Sequence, residues 1–221
     1  MGSIQRQTFI CRLPILFNYV LCFLKVLAHC SIIAARCQWL KEKIMLAKSE
    51  KAKGSTTTNI SNNLIVEISD ADVSAFNLVL EYLYTDKIDF SPPSSSKPAL
   101  AFSNEVVLNT MRVYTLALSF HLKLLERLSL RYLETSVNLN NVLFALTNAS
   151  ALKLQPIKEY CLRFIVKETN YKQIVMSENF ESLAQPLMIE VIRRREQFQS
   201  KDGIGKKHHE LAPSPPPGTM P

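Results

Sequence analysis

Apolar and polar positions repeat with a helical period along most of the chain, interrupted by a few polar runs. In Leu27–Ile44 (LAHCSIIAARCQWLKEKI) the apolar residues Ile32, Ile33, Leu40 and Ile44 alternate with Arg36, Lys41, Glu42 and Lys43. One apolar stripe opposite a charged face predicts a single amphipathic helix. No Gly or Pro interrupts it, and Ala, Leu, Lys and Glu all favour helix. Ser31 is a candidate to accept an orphan N–H near its start. Leu64–Ile68 (LIVEI) is short and β-branched, which predicts a strand. Ser69–Asp72 then offers N-cap candidates. Val73, Phe76, Val79, Leu80, Leu83 and Tyr84 follow on one helical face. Burying six such side chains contributes roughly 1.5–3 kcal/mol each before chain entropy is subtracted.

Further helices are predicted at Asn104–Ser119 (Val107, Met111, Tyr114, Leu118) and His121–Tyr132 (Leu122, Leu125, Leu128, Tyr132). Beyond Leu133 the pattern is helical throughout, with apolar faces at Val142, Leu143, Leu146 and Ala149 and at Leu154, Ile157, Cys161, Phe164 and Ile165. The polar run 48–63 (KSEKAKGSTTTNISNN) predicts a long loop. A loop of that length is tolerated, since each doubling costs only about 0.6 kcal/mol in closure entropy. Ser91–Pro98 (SPPSSSKP) continues neither helix nor central strand. Residues 198–221 are rich in Lys, Gly and Pro and predict a disordered tail.

The length of 221 residues permits one large domain or two small ones. With 47% hydrophobic and 20% charged residues the composition is that of a globular protein. Five glycines argue against a Gly-rich phosphate-binding enzyme. The formal charge of +7 is spread along the chain. The stronger reading is ordinary solvated lysines and arginines, with acidic partners or an anionic surface as the weaker one. Cys11, Cys22, Cys30, Cys37 and Cys161 form neither a disulfide framework nor a metal spacing. Cys30 and Cys37, two helical turns apart, read as packing residues. No nucleophile–base pair can be argued from the four histidines, and no metal or cofactor is expected. Arg193–Arg195 with Lys206–Lys207 has the spacing of a bipartite nuclear import signal, against the stronger reading of a solvated helix end. Residues 1–28 resemble a secretory signal with a cleavage site after Ala28, and Asn59 and Asn148 begin glycosylation sequons. A cytoplasmic location ranks ahead of that, with the nucleus as a second compartment.

AHCSIIAARCQWL resembles the BTB/POZ signature. His29 stands at the family's His, Ala34-Ala35-Arg36 at its Ala-Ala-Arg and Trp39-Leu40 at its aromatic–apolar pair, with Cys30, Ile33 and Cys37 as mild departures. IVEISDADVSAFNLVLEYLYTDKIDF resembles the family segment in which a strand leads into a helix ending Tyr-hydrophobic-Tyr-Thr, matched by Tyr82, Tyr84 and Thr85. The stretch from Tyr132 to Glu168 resembles the opening of the BACK domain, through Asn141-Val142, Ala149, Cys161 and Phe164-Ile165.

The resemblance implies an α+β fold, mainly helical: a small sheet flanked by helices, then an all-helical BACK-like region. The expected divisions are an atypical segment 1–22, a BTB domain 23–133 incomplete at its start, a BACK-like domain 134–197 and the tail 198–221. The family opens with a helix and a strand that help form its homodimer. Residues 1–22 lack that pattern, so Phe23–Leu27 is expected to supply the second strand and dimerisation is weakened. In function the resemblance is to kelch-like adaptors that bridge a cullin scaffold of a ubiquitin ligase to a substrate, here in a full or truncated form. The alternative is a BTB-mediated scaffold or transcriptional interaction protein that binds no cullin. Neither reading makes the chain an enzyme. In the family a hydrophobic-x-Glu motif contacts the cullin. It falls on Lys48-Ser49-Glu50, with Glu50 matching and Lys48 standing where an apolar side chain should insert. Tyr84 and Leu118 are further protein-binding candidates, although core is the stronger reading for Tyr84.

Overall fold

A computed structural model describes residues 8–17, 20–52, 64–68, 71–91 and 103–206. Three strands, β1 (Thr8–Phe17), β2 (Val20–His29) and β3 (Leu64–Glu67), form one sheet in the order β2-β1-β3. β1 pairs antiparallel with β2 along its whole length and parallel with β3 over Phe9–Arg12. Pro14 falls beyond the last β3 pair, where β1 has a single neighbour, a position that tolerates the missing N–H. The expectation that residues 1–22 supply no strand is thus corrected: β1 lies within them, and β2 is longer than Phe23–Leu27.

The rest is helical: α1 (Cys30–Arg36), α2 (Gln38–Ala52), α3 (Val73–Thr85), α4 (Asn104–Ser119), α5 (Lys123–Ser136), α6 (Val142–Ala151), α7 (Gln155–Ile165), α8 (Glu168–Val175), α9 (Glu178–Glu181) and α10 (Gln185–Lys206). The expected single helix over Leu27–Ile44 is two. β2 runs to His29, and Cys37, in an extended conformation, separates α1 from α2. Ser31 lies inside the first turn of α1 rather than capping it, and His29 is the N-cap residue without a side-chain cap bond. α2 continues to Ala52, so the start of the expected loop 48–63, including Lys48 and Glu50, is helical. The remainder of that loop from 53, with the Asn59 sequon, lies outside the described residues. α10 likewise runs past 197 to Lys206, and the expected tail beyond it lies outside the described residues.

Local chemistry fixes several boundaries. Asp72 caps α3 by accepting from the N–H groups of Ser74 (3.0 Å) and Ala75 (3.2 Å). Asp86 ends it in the left-handed region at φ 59°, which Asp tolerates better than most residues. Two interhelix corners use one device. At α4–α5, His121 takes φ 57° and the Leu122 N–H donates to Ala117 O at 2.9 Å. At α6–α7, Lys153 takes φ 56° and the Leu154 N–H donates to Ala149 O at 2.8 Å. Both are Schellman-type closures built on non-glycine residues.

Two hydrophobic clusters result. The first joins Ile33, Leu40 and Ile44 to Phe76, Val79, Leu83, Val113 and Leu125 beside the sheet. The second joins Met111 and Leu133 to Leu146, Ile157, Cys161, Leu162 and Val191. α4 serves both, with Val106, Val113 and Ala117 toward the first and Val107, Met111 and Tyr114 toward the second. Cys30 and Cys37 pack in the first cluster, and burial pushes both thiols up.

Candidate protein-binding surface

The site candidates Glu50, Lys48, Tyr84 and Leu118 are all exposed. Among the described residues none of the four shares a hydrogen bond, ion pair or ring contact with another. Their arrangement follows from where each helix meets the core. In α2 the buried Leu40 and Ile44 face inward, with Ala47 packed against the cluster. A residue two positions on is rotated by about 200°, so Lys48 and Glu50 point to opposite flanks of α2.

Glu50 shares its flank with Lys43, two turns earlier, and with Trp39. The Trp39 ring stacks on Phe120 at 4.7 Å, and the Lys43 ammonium sits 5.2 Å from the Trp39 ring centre. Phe120 in turn stands edge-on to Phe76 and takes the Cys37 thiol on its carbonyl oxygen at 3.7 Å. The start of α2 is thereby packed against the α4–α5 corner, where Leu118 is 38% and Leu124 50% exposed.

Lys48 faces the other way. With Lys41 and Met45 it borders a groove of about 240 Å³ between α1 and α2, floored by Cys30, Ala34 and Ile44. Tyr84 is 39% exposed, which corrects the core reading; Tyr82 is the buried tyrosine of that helix. The Tyr84 hydroxyl accepts from the His29 backbone N–H at 2.7 Å and lies 3.2 Å from His29 Nδ1. It ties the end of α3 to the junction of β2 and α1, and Arg36 adds an ion pair to Asp86. His29 therefore sits where strand meets helix, and Tyr84 has a structural task as well as an exposed ring.

Ile32 was expected in the apolar stripe and is 40% exposed, as are Met45 (60%) and Leu46 (55%). The sequence signal for the last two was the run Ile44–Ala47, too long for one helical face to bury. The basic cluster Arg193–Arg195 is not a solvated helix end. It lies within α10, where Arg194 pairs with Glu159 and Arg195 donates to Val166 O at 2.6 Å and covers the Tyr171 ring. The Asn148 amide donates to Phe144 O at 2.8 Å within α6, so that sequon is folded into a helix. Among the described residues, no group of three or more His, Cys, Asp or Glu could hold a metal, and no helix is long and apolar enough to cross a membrane.

No family model matches the chain. It is similar to the leucine-zipper-like transcriptional regulator 1 of Mus musculus, 37% identical over 187 residues that take in 78% of this chain and 21% of that protein. The Drosophila melanogaster homolog of that regulator is 32% identical over 189 residues, 78% of this chain and 19% of that protein. The BTB/POZ domain-containing protein 9 of Homo sapiens is 25% identical over 167 residues, 76% of this chain and 24% of that protein. The chain thus spans about a fifth to a quarter of the length of the curated relatives it matches. Together these similarities support a BTB-type family.

Proposed function

We propose that the chain is a protein-interaction adaptor whose sheet-and-helix region, 23–133, is a BTB domain that binds a cullin scaffold of a ubiquitin ligase. The helical region 134–197 is read as BACK-like, and a substrate protein is bound elsewhere on the assembly. One observation carries this reading. Glu50 is exposed on α2, and Leu118 and Leu124 are exposed at the α4–α5 corner against which the start of α2 packs through the Trp39–Phe120 stack. An exposed carboxylate and exposed apolar side chains are the groups from which a docking face is built. Lys48, on the opposite flank, stays clear of it.

The test is calorimetric titration of the purified chain with a cullin amino-terminal domain. Binding is expected, weakened by Glu50→Ala and more strongly by Leu118→Asp, which places an unpaired charge in the apolar part of the surface. Titration without heat, or binding indifferent to both changes, rejects the cullin reading. The second reading, a scaffold or transcriptional interaction module in the cytoplasm or nucleus, is favoured by the similarity to a leucine-zipper-like transcriptional regulator. A self-association that survives Leu118→Asp in sedimentation, with no cullin bound, would support it.

A further inference from the structure

The groove between α1 and α2 differs in its charge from two further cavities among the described residues. The cavity on α10 mixes a carboxylate with cations: Glu190 pairs with Lys158 and Arg194 with Glu159, beside Arg193. The cavity between α3 and α4 mixes Glu81 and Glu105 with Arg112, which is held by Asp72. The α1/α2 groove has Lys41 and Lys48 on its border and, among its described lining residues, no carboxylate. Neither lysine forms an ion pair among the described residues. They stand seven positions apart on one face of α2, about 10 Å along the helix axis. Between them Met45 is 60% exposed, and the floor beneath is apolar. Two uncompensated cations around an exposed methionine leave a positive, adaptable and partly dry recess.

We propose that this groove docks an acidic amphipathic segment of a partner protein, with carboxylates about two helical turns apart on Lys41 and Lys48 and an apolar side chain against Met45. Charge complementarity selects this occupant. A second copy of the same chain, with a formal charge of +7, is a poor match. Because Lys48 and Glu50 leave α2 on opposite flanks, a segment in the groove leaves the Glu50 surface open. The chain can therefore hold two proteins at once, one on each flank. Docking in the groove is independent of the cullin reading, whereas the simultaneous holding of two proteins rests on it.

The experiment is fluorescence anisotropy with the full chain. Its probe is a labelled helical peptide carrying two glutamates seven residues apart around a leucine and a methionine. The wild-type chain is expected to bind it with an affinity that falls as salt rises. Lys41→Glu combined with Lys48→Glu should weaken it about tenfold, since each reversal removes one attraction and adds one repulsion. Met45→Ala should weaken it a few fold, and Lys172→Glu on distant α8 should change nothing. A scrambled peptide of the same composition should bind about as weakly as the double reversal. Absence of binding to the wild-type chain overturns the proposal. So does equal binding of the scrambled peptide, or an equal loss in Lys172→Glu, which would reduce the effect to net charge. Circular dichroism of each variant separates lost binding from lost fold.

Discussion

The two hydrophobic clusters are built on different principles, although one helix serves both. The second is assembled from helices in chain order, α6 to α10 against α4 and α5, and it combines local polar fastenings with longer ones such as Arg194 to Glu159, 35 positions apart. Asn141, buried at 2% exposure, accepts from the Asn138 N–H at 2.8 Å and donates to Ser136 O at 2.9 Å. Asn170 donates to Phe164 O at 2.9 Å. The first is held by fastenings between distant segments: Asp72 to Arg112 at 2.9 Å, Ser74 to Asn109 at 3.2 Å, Arg36 to Asp86, and Tyr84 to His29. Contacts close in sequence form at smaller entropic cost than distant ones. The arrangement that is costlier to assemble is also the one that carries the exposed flanks of α2. Helices and a sheet brought together from afar leave the α1/α2 groove, and the successive helices leave a cavity and exposed Ile189 and Ile192 on α10.

The largest disturbance comes from the side chain that couples the two. Met111 on α4 is fully buried in the second cluster, and Met111→Ala should cost about 2–5 kcal/mol. Val113, two positions on, belongs to the first cluster. Loosening α4 therefore removes support from both. Hydrogen exchange should show α3 and α7 amides losing protection together, within a single denaturant transition. If α7 alone is exposed while α3 keeps its protection, the two clusters are independent units and α4 is not the coupling element.

How far the sequence foretold this arrangement depended on whether local chemistry or tertiary packing set each feature. α3 was legible because its stripe, its Asp72 cap and the preceding strand all agree. The break at Cys37 was not: no Gly or Pro marks it, and the period of α1 runs into that of α2 without a visible change of phase. Lys48-Ser49-Glu50 read as loop from its polarity, yet Lys and Glu are good helix formers, and Ala47 keeps α2 against the core through that turn. Tyr84 belonged to the apolar stripe by spacing, but at the last turn of α3 its hydroxyl meets the backbone of His29 instead. The corners at His121 and Lys153 were hidden because residues other than glycine take the left-handed conformation there. The separation of Lys48 from Glu50 needed only the knowledge that both are helical.

A smaller effect isolates the long-range fastening of the first region. Asp72→Ala removes the α3 cap and the Arg112 pair together and should cost about 1 kcal/mol at neutral pH. Burial pushes the Asp72 carboxyl up. The Ser74 hydroxyl, the Ala75 N–H, the Arg112 guanidinium and the Ser74 N–H outweigh it and hold the group below its ordinary value of 3.8. A lowered folded-state pKa means stability that is fully present above the ordinary value and lost as pH falls through the lowered one. Denaturation midpoints of wild type and variant should differ at neutral pH and converge in acid below that lowered value. A gap that persists unchanged in acid would show that the ionised carboxylate contributes nothing to holding α3.

The smallest perturbation is alkylation of the cysteines, which needs no substitution in the wild-type chain. Burial pushes the Cys161 thiol of α7 up to about 12, so near pH 8 only roughly one molecule in ten thousand carries the thiolate. Cys30 lies at the floor of the α1/α2 groove, with its thiol raised by burial against the lowering influence of Lys48. Alkylation followed by residue-resolved mass spectrometry should label Cys30 ahead of Cys161. The two rates should also respond differently to Met111→Ala. Cys161 can react only when the second cluster opens, so its labelling should accelerate in step with the loss of α7 amide protection. Cys30 is reached through the groove, so its labelling should change less. Labelling of Cys161 as fast as Cys30 in the native wild-type chain would contradict this, because a thiol sealed among Ile157, Leu162 and Ile165 has no route to the reagent without unfolding.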